Sequence, residues 1–197
     1  MEETNRQLFK LSIASIPPYA SFRRTRPSLL PFIFAFFLLA LVFLQNRSGS
    51  RSAELSRYPD ESAHYVTGLM VPYYLLHGWG TGPVSFAADY YLYYPKVAIG
   101  HWPPVFYLVQ FLWMTVFPTT ISSLLDLQAT LLATAGALLF KVVRTRFGFV
   151  AAGVLAVAFL VLKPSQVLVS EIMSEPLLAL LTLLATWTMP VTLRPAP

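Results

Sequence analysis

The chain has 197 residues, of which 56% are hydrophobic, 15% aromatic and only 12% charged, and its mean hydropathy is +0.60. Soluble domains carry about 25% charged residues, and here the apolar residues also come in blocks of membrane-crossing length. A soluble enzyme, a disordered chain and a secreted disulfide scaffold are therefore excluded. The absence of Cys excludes a Cys-ligated zinc site and leaves the redox compartment open. A net charge of +5 could suit nucleic acid, but the basic residues flank apolar runs, where membrane orientation and anionic headgroups account for them.

The fold expected is an all-α polytopic membrane helix bundle with about four transmembrane helices. Residues 1–27 form a basic N-terminus, with Arg6, Lys10, Arg23, Arg24 and Arg26 placing it in the cytoplasm. The uncharged run 28–45 spans about 27 Å as a helix, close to the hydrocarbon thickness. It is read as a span rather than a signal peptide, because it is long and no small-residue cleavage site follows closely.

Residues 46–119 form a long outer segment rich in Tyr, Pro, Gly and Trp, with two juxtamembrane helices at about 61–76 and 103–117. Pro72 is expected to bend or end the first of these. The second, PPVFYLVQFLWMTVF, is either a short span or an interfacial helix. Charge favours the interface: the run 121–140 ends in Lys141, Arg144 and Arg146, and this cluster falls inside only if 103–117 does not cross. Alternation then gives a span at 121–140, a basic cytoplasmic loop at 141–148, a span at 149–169 broken by Pro164, an outer loop at 170–175, a span at 176–190 and a cytoplasmic tail at 191–197.

The outer side receives the polar groups that need an explanation. Asp60 and Glu61 head the helix after Tyr58-Pro59, where acids cap free N–H groups and complement the helix dipole. A carboxylate at a low-dielectric boundary can equally act as a base toward a hydroxyl. His64 lies four residues after Asp60 and can share its face. Lys96 and His101 precede the apolar helix and can grip a lipid phosphate, or simply snorkel and start a helix. Glu171 and Glu175 are spaced i, i+4 beside the last span, where acids face protein or water rather than lipid. Lys163 reads as an interface anchor or a further phosphate contact, and Asp126 as a helix-start acid. Three scattered His residues make no metal site. No GxxxxGK[ST] or GxGxxG motif is present, and the cytoplasmic segments are too small for a nucleotide domain. No cofactor is expected, and any activated group would come from a membrane lipid.

The order of a basic-flanked span, YPDE in the first outer loop, YPK…HWPP before an apolar helix and SEPL in the second outer loop resembles the N-terminal half of type C (GT-C) glycosyltransferases. The most similar members are bacterial protein mannosyltransferase-like enzymes, including lipopolysaccharide galacturonosyltransferases and the aminoarabinose transferase of lipid A. The resemblance covers about 27–190. It implies an inner-membrane enzyme that transfers a sugar from a polyprenyl-phosphate donor to a lipid, glycan or protein acceptor on the outer, periplasmic side. Asp60 matches the general base, and Glu175 the acid of the second outer loop that orients substrate. Lys96 and His101 match the region facing the donor phosphate, and Glu61, His64, Lys163 and Glu171 are carried as substrate-binding candidates. Members of the family have more than four spans, so the chain is expected to be an N-terminal portion. The other reading is a non-catalytic four-span protein for lipid-carrier translocation or assembly.

Overall fold

The computed structural model describes residues 28–53, 55, 58–98 and 100–188. The expectations for the basic N-terminus 1–27 and the tail 191–197 lie outside the described residues. Those residues form helices and turns, with no strand among them. In chain order the helices are α1 Leu30–Ser48, a 3-10 turn Ser50–Ser52, α2 Pro59–His77, α3 Pro83–Tyr93, α4 Val105–Met114, α5 Ile121–Val161, α6 Lys163–Val169 and α7 Glu175–Thr188. Proline occupies the first turn of α1, α2, α3 and α6. There its fixed φ suits the helix and its missing N–H costs nothing.

Two helices, α1 and α5, are long and apolar enough to cross a membrane. On α1, Phe32, Phe36, Leu39 and Phe43 form an exposed stripe at helical spacing, while Phe37, Leu41 and Gln45 form the buried one. Phe32 and Leu39 are each 70% exposed. Continuous apolar exposure of this kind fits hydrocarbon better than water.

The 41 residues of α5 do not form one rod. Gly148 has φ 82° and ψ −179°, backbone that essentially only glycine adopts, and the chain folds back there. Ala129, Leu132 and Ala133 of the first arm pack with Ala152, Ala156 and Leu160 of the second, around Phe37 and Leu41 of α1. A Cβ added to Gly136 would stand 3.2 Å from Leu160 and from Phe37. In a straight helix, positions 136 and 160 would be about 36 Å apart. Alanines at i, i+4 in both arms let the backbones approach closely, the usual device where lipid supplies no hydrophobic drive.

The basic loop expected at 141–148 is thus a helix end followed by a one-residue reversal. Lys and Arg are good helix formers, so the charges mark where the apolar run stops without ending the helix. The second arm breaks at Leu162, whose backbone is extended (ψ 140°), just before Lys163-Pro164.

Buried amides tie the bundle together at the end opposite Gly148. Gln45 Nε2 donates to the carbonyl oxygens of Leu125 (2.8 Å) and Val169 (2.7 Å). Its Oε1 accepts from Arg51 at 3.3 Å, and Arg51 pairs with Asp126. Asp126 is therefore an ion-pair partner rather than only a helix-start acid. Gln128 Nε2 donates to the Met173 carbonyl at 3.0 Å, fixing the loop before α7. Away from water each such bond replaces hydration that the amide has lost.

Residues 46–119 hold three α-helices among the described residues, one more than expected. α2 continues through Pro72 to His77. The added helix, α3, packs Phe86 and Tyr90 on Tyr73 of α2. α4 has 10 residues, about 15 Å of rise and too short for a span. It buries Phe106, Tyr107 and Gln110 while exposing Val105, Leu108 and Leu112.

Candidate functional site

The first turn of α2 and the loop 170–175 meet at the end of the bundle opposite Gly148. Glu61 is 5% exposed, and its Oε1 accepts a hydrogen bond from the Ile172 backbone N–H at 3.3 Å. Burial raises the Glu61 pKa, and the Ile172 N–H pulls it back in part. Glu61 and Glu171 both line a cavity of about 140 Å³ together with Ser48, Ser50 and Ser170. Glu171 is buried, and the i, i+4 spacing to Glu175 leaves Glu175 exposed at the start of α7.

One turn along α2, His64 is buried to 1% exposure. Its ring lies 4.4 Å from that of Trp102 and meets Phe106 edge-on at 5.4 Å. Its Nδ1 is 3.1 Å from the Tyr107 hydroxyl. Burial lowers the His64 pKa, while the negative charges of Glu175 and Asp60 act in the opposite direction. Both carboxylates therefore stand near enough for their fields to reach the same imidazole. Asp60 is exposed in the first turn of α2 and does not share the buried face of His64; Glu61 does.

Further polar groups stand behind His64. The Ala98 N–H donates to Thr67 Oγ1 at 3.1 Å, and the Thr67 side chain holds the Tyr107 phenol pKa down in part. Burial pushes the Tyr107 phenol up to about 12, so it stays protonated and can donate to the Nδ1 of a neutral His64. The first of these bonds docks the segment that carries Lys96 and His101 onto α2. His101 is exposed and packs edge-on against Trp102 at 4.9 Å, so it is one ring removed from His64. Lys96 is exposed in the turn after α3.

The fold thus gathers Asp60, Glu61, His64, Glu171 and Glu175, with His101 at the edge through Trp102. Lys163 is not among them; it is exposed as the first residue of α6. Thr67, Tyr107 and the Ile172 N–H are members that sequence reasoning missed. Their signal was faint: a hydroxyl on the same helical face as His64, and a Tyr beside a Phe in an apolar run. Among the described residues no group of three or more His, Cys, Asp or Glu is placed to hold a metal ion. Chemically, the arrangement offers two exposed carboxylates, Asp60 and Glu175, whose charges reach a buried imidazole braced by Tyr107, and an exposed carboxylate can accept a proton from a hydroxyl.

No family model matches the chain, and the comparisons with curated proteins and with solved structures found no match.

Proposed function

We propose that the chain is a membrane glycosyltransferase module that transfers a sugar from a polyprenyl-phosphate donor to an acceptor hydroxyl. In this reading α1, the two arms of α5 (the second with α6) and α7 are four crossings of the inner membrane. The N-terminus and the Gly148 turn are cytoplasmic, because Lys141, Arg144 and Arg146 lie beside that turn. The carboxylate end then faces the periplasm.

The observation that supports this reading is the convergence of acids from two loops that are distant in sequence. Glu61 holds Ile172 across 111 residues, and Asp60 and Glu175 both act on His64. A transferase with a general base needs such a meeting; a lipid-carrier subunit does not. Asp60, exposed at the helix start, takes the acceptor proton, and Glu175 orients the acceptor. Glu61 and His64 hold these two in register from below. Lys96 and His101, both exposed on the segment docked by Thr67, are the cations available to the departing lipid phosphate, whose charge grows as the sugar leaves.

The test is sugar transfer from polyprenyl-phosphate-linked donors in membranes containing the protein. Asp60→Asn is expected to lower turnover by about 10²–10⁴-fold, the usual share of a general base, with expression and insertion unchanged. Near-normal turnover in that variant removes Asp60 from the role. Failure of the unaltered protein to use any such donor removes the transferase reading.

A further inference from the structure

At the opposite end of the bundle two adjoining spaces remain open. One, of about 440 Å³, lies between α1, the first arm of α5 and α7, walled by Leu30, Phe34, Leu138, Leu184 and Trp187. The other, of about 600 Å³, opens beside it and is bordered by Lys141, Arg144 and Thr145. Ser28, Leu30 and Lys141 border both, so the apolar groove leads directly into the basic mouth. Lys141 Nζ sits 4.2 Å over the Trp187 ring, and Arg144 leans on Phe149 at 5.9 Å. Among the described residues no acid borders either space.

We propose that this groove is a binding site for an anionic phospholipid, one acyl chain lying between α1, the first arm and α7 and the phosphate at Lys141 and Arg144. Charge decides the occupant. Lys141 and Arg144 are one helical turn apart and share a face, and the described surroundings offer them no carboxylate. Juxtamembrane Lys and Arg are attracted to anionic headgroups, and basic pockets between membrane helices hold them. The ring of Trp187 fixes the ammonium of Lys141 at the groove's mouth, where an apolar body below and a polar head above meet the two halves of a lipid. This site requires a bilayer around the bundle but assigns nothing to the carboxylate end.

The test is native mass spectrometry of the whole chain in detergent, titrated with phosphatidylglycerol and with phosphatidylcholine of the same acyl chains. Phosphatidylglycerol is expected to bind about thirtyfold more tightly, from the attraction of two basic residues for an anionic headgroup. Lys141→Gln with Arg144→Gln is expected to bring it to the phosphatidylcholine level. Both positions are exposed, so circular dichroism should be unchanged and melting should fall only slightly, by the loss of the two ring contacts. Leu184→Trp, which narrows the groove, is expected to weaken both lipids. Equal binding of the two lipids by the unaltered chain overturns the proposal, as does a preference that survives the double charge variant. Displacement by inorganic phosphate combined with indifference to Leu184→Trp would mean that no acyl chain occupies the groove, and overturns it too.

Discussion

The Glu61 carboxylate accepts a 3.3 Å hydrogen bond from the Ile172 backbone N–H, although 111 residues separate them. This bond fastens the first turn of α2 to the loop that delivers Glu175. Since burial raises the Glu61 pKa, the ionised form is the one at a disadvantage. Glu61→Gln keeps an acceptor of the same shape without the charge, and is expected to match or exceed the native melting temperature at pH 7. Glu61→Ala leaves the Ile172 N–H without its partner and is expected to cost about 1–3 kcal/mol. Thermal unfolding in detergent, followed by circular dichroism, separates the two outcomes.

His64 provides a direct reading of where the acids stand. Its pKa is lowered, so in the window below 6.5 the unfolded chain binds more protons than the folded one. The contribution of His64 to stability is therefore fully present above that value and declines as the pH falls through the window. An NMR titration of the His64 ring is expected to give a midpoint under 6.5, lower still in Asp60→Asn and in Glu175→Gln. A midpoint that ignores both substitutions would place the carboxylates away from the imidazole.

The fold-back at Gly148 can be checked chemically, because the chain has no native Cys. Gly136→Cys with Leu160→Cys is expected to be joined by a short thiol cross-linker. Trypsin cutting at Arg144 or Arg146 should then leave the two arms joined until the cross-link is reversed. A continuous helix keeps those sites about 36 Å apart and yields separate fragments. Gly148→Ala forces a Cβ into backbone that tolerates none, at an expected cost of about 1–3 kcal/mol.

Sidedness is tested with single engineered cysteines and a membrane-impermeant maleimide. Positions 60 and 175 are expected to label from the periplasmic face, and position 145 only after the membrane is opened. Labelling of 60 and 175 from opposite faces would end the transferase proposal.

Close packing gives a fifth measurable effect. Gly136 stands where a Cβ would meet Leu160 and Phe37 at 3.2 Å. Gly136→Leu is expected to destabilise the bundle by about 1–3 kcal/mol through overpacking, lowering the melting temperature. Gly153, which has no heavy atom near its would-be Cβ, should accept Ala without loss.

The apolar runs of α1 and of both α5 arms were legible in the sequence because a run without charge has few other uses. The approach of the YPDE turn to the loop before SEPL, made through Glu61 and Ile172, was legible only through the order of loops, since nothing local to either motif says that they meet. α3 was missed because its sequence, PVSFAADYYLY, follows three closely spaced glycines and carries aromatics on several faces, blurring a helical period. The roles of Gln45 and Gln128 were also missed. An amide inside an apolar run is the available signal, because such a group needs a partner once it leaves water. The partners are backbone carbonyls far along the chain, which no spacing rule identifies.

The one-residue reversal at Gly148 also constrains how the molecule can be made and how it can vary. With no slack between them, the two arms would, in the proposed four-crossing arrangement, have to enter the bilayer as a pair, neither being free to settle before the other emerges. Losing or gaining a single amino acid in one arm would rotate it by about 100°. Its alanine stripe would then leave the packed seam between the arms, so length changes should be tolerated far better in the segments around α3 than anywhere between Thr120 and Leu162.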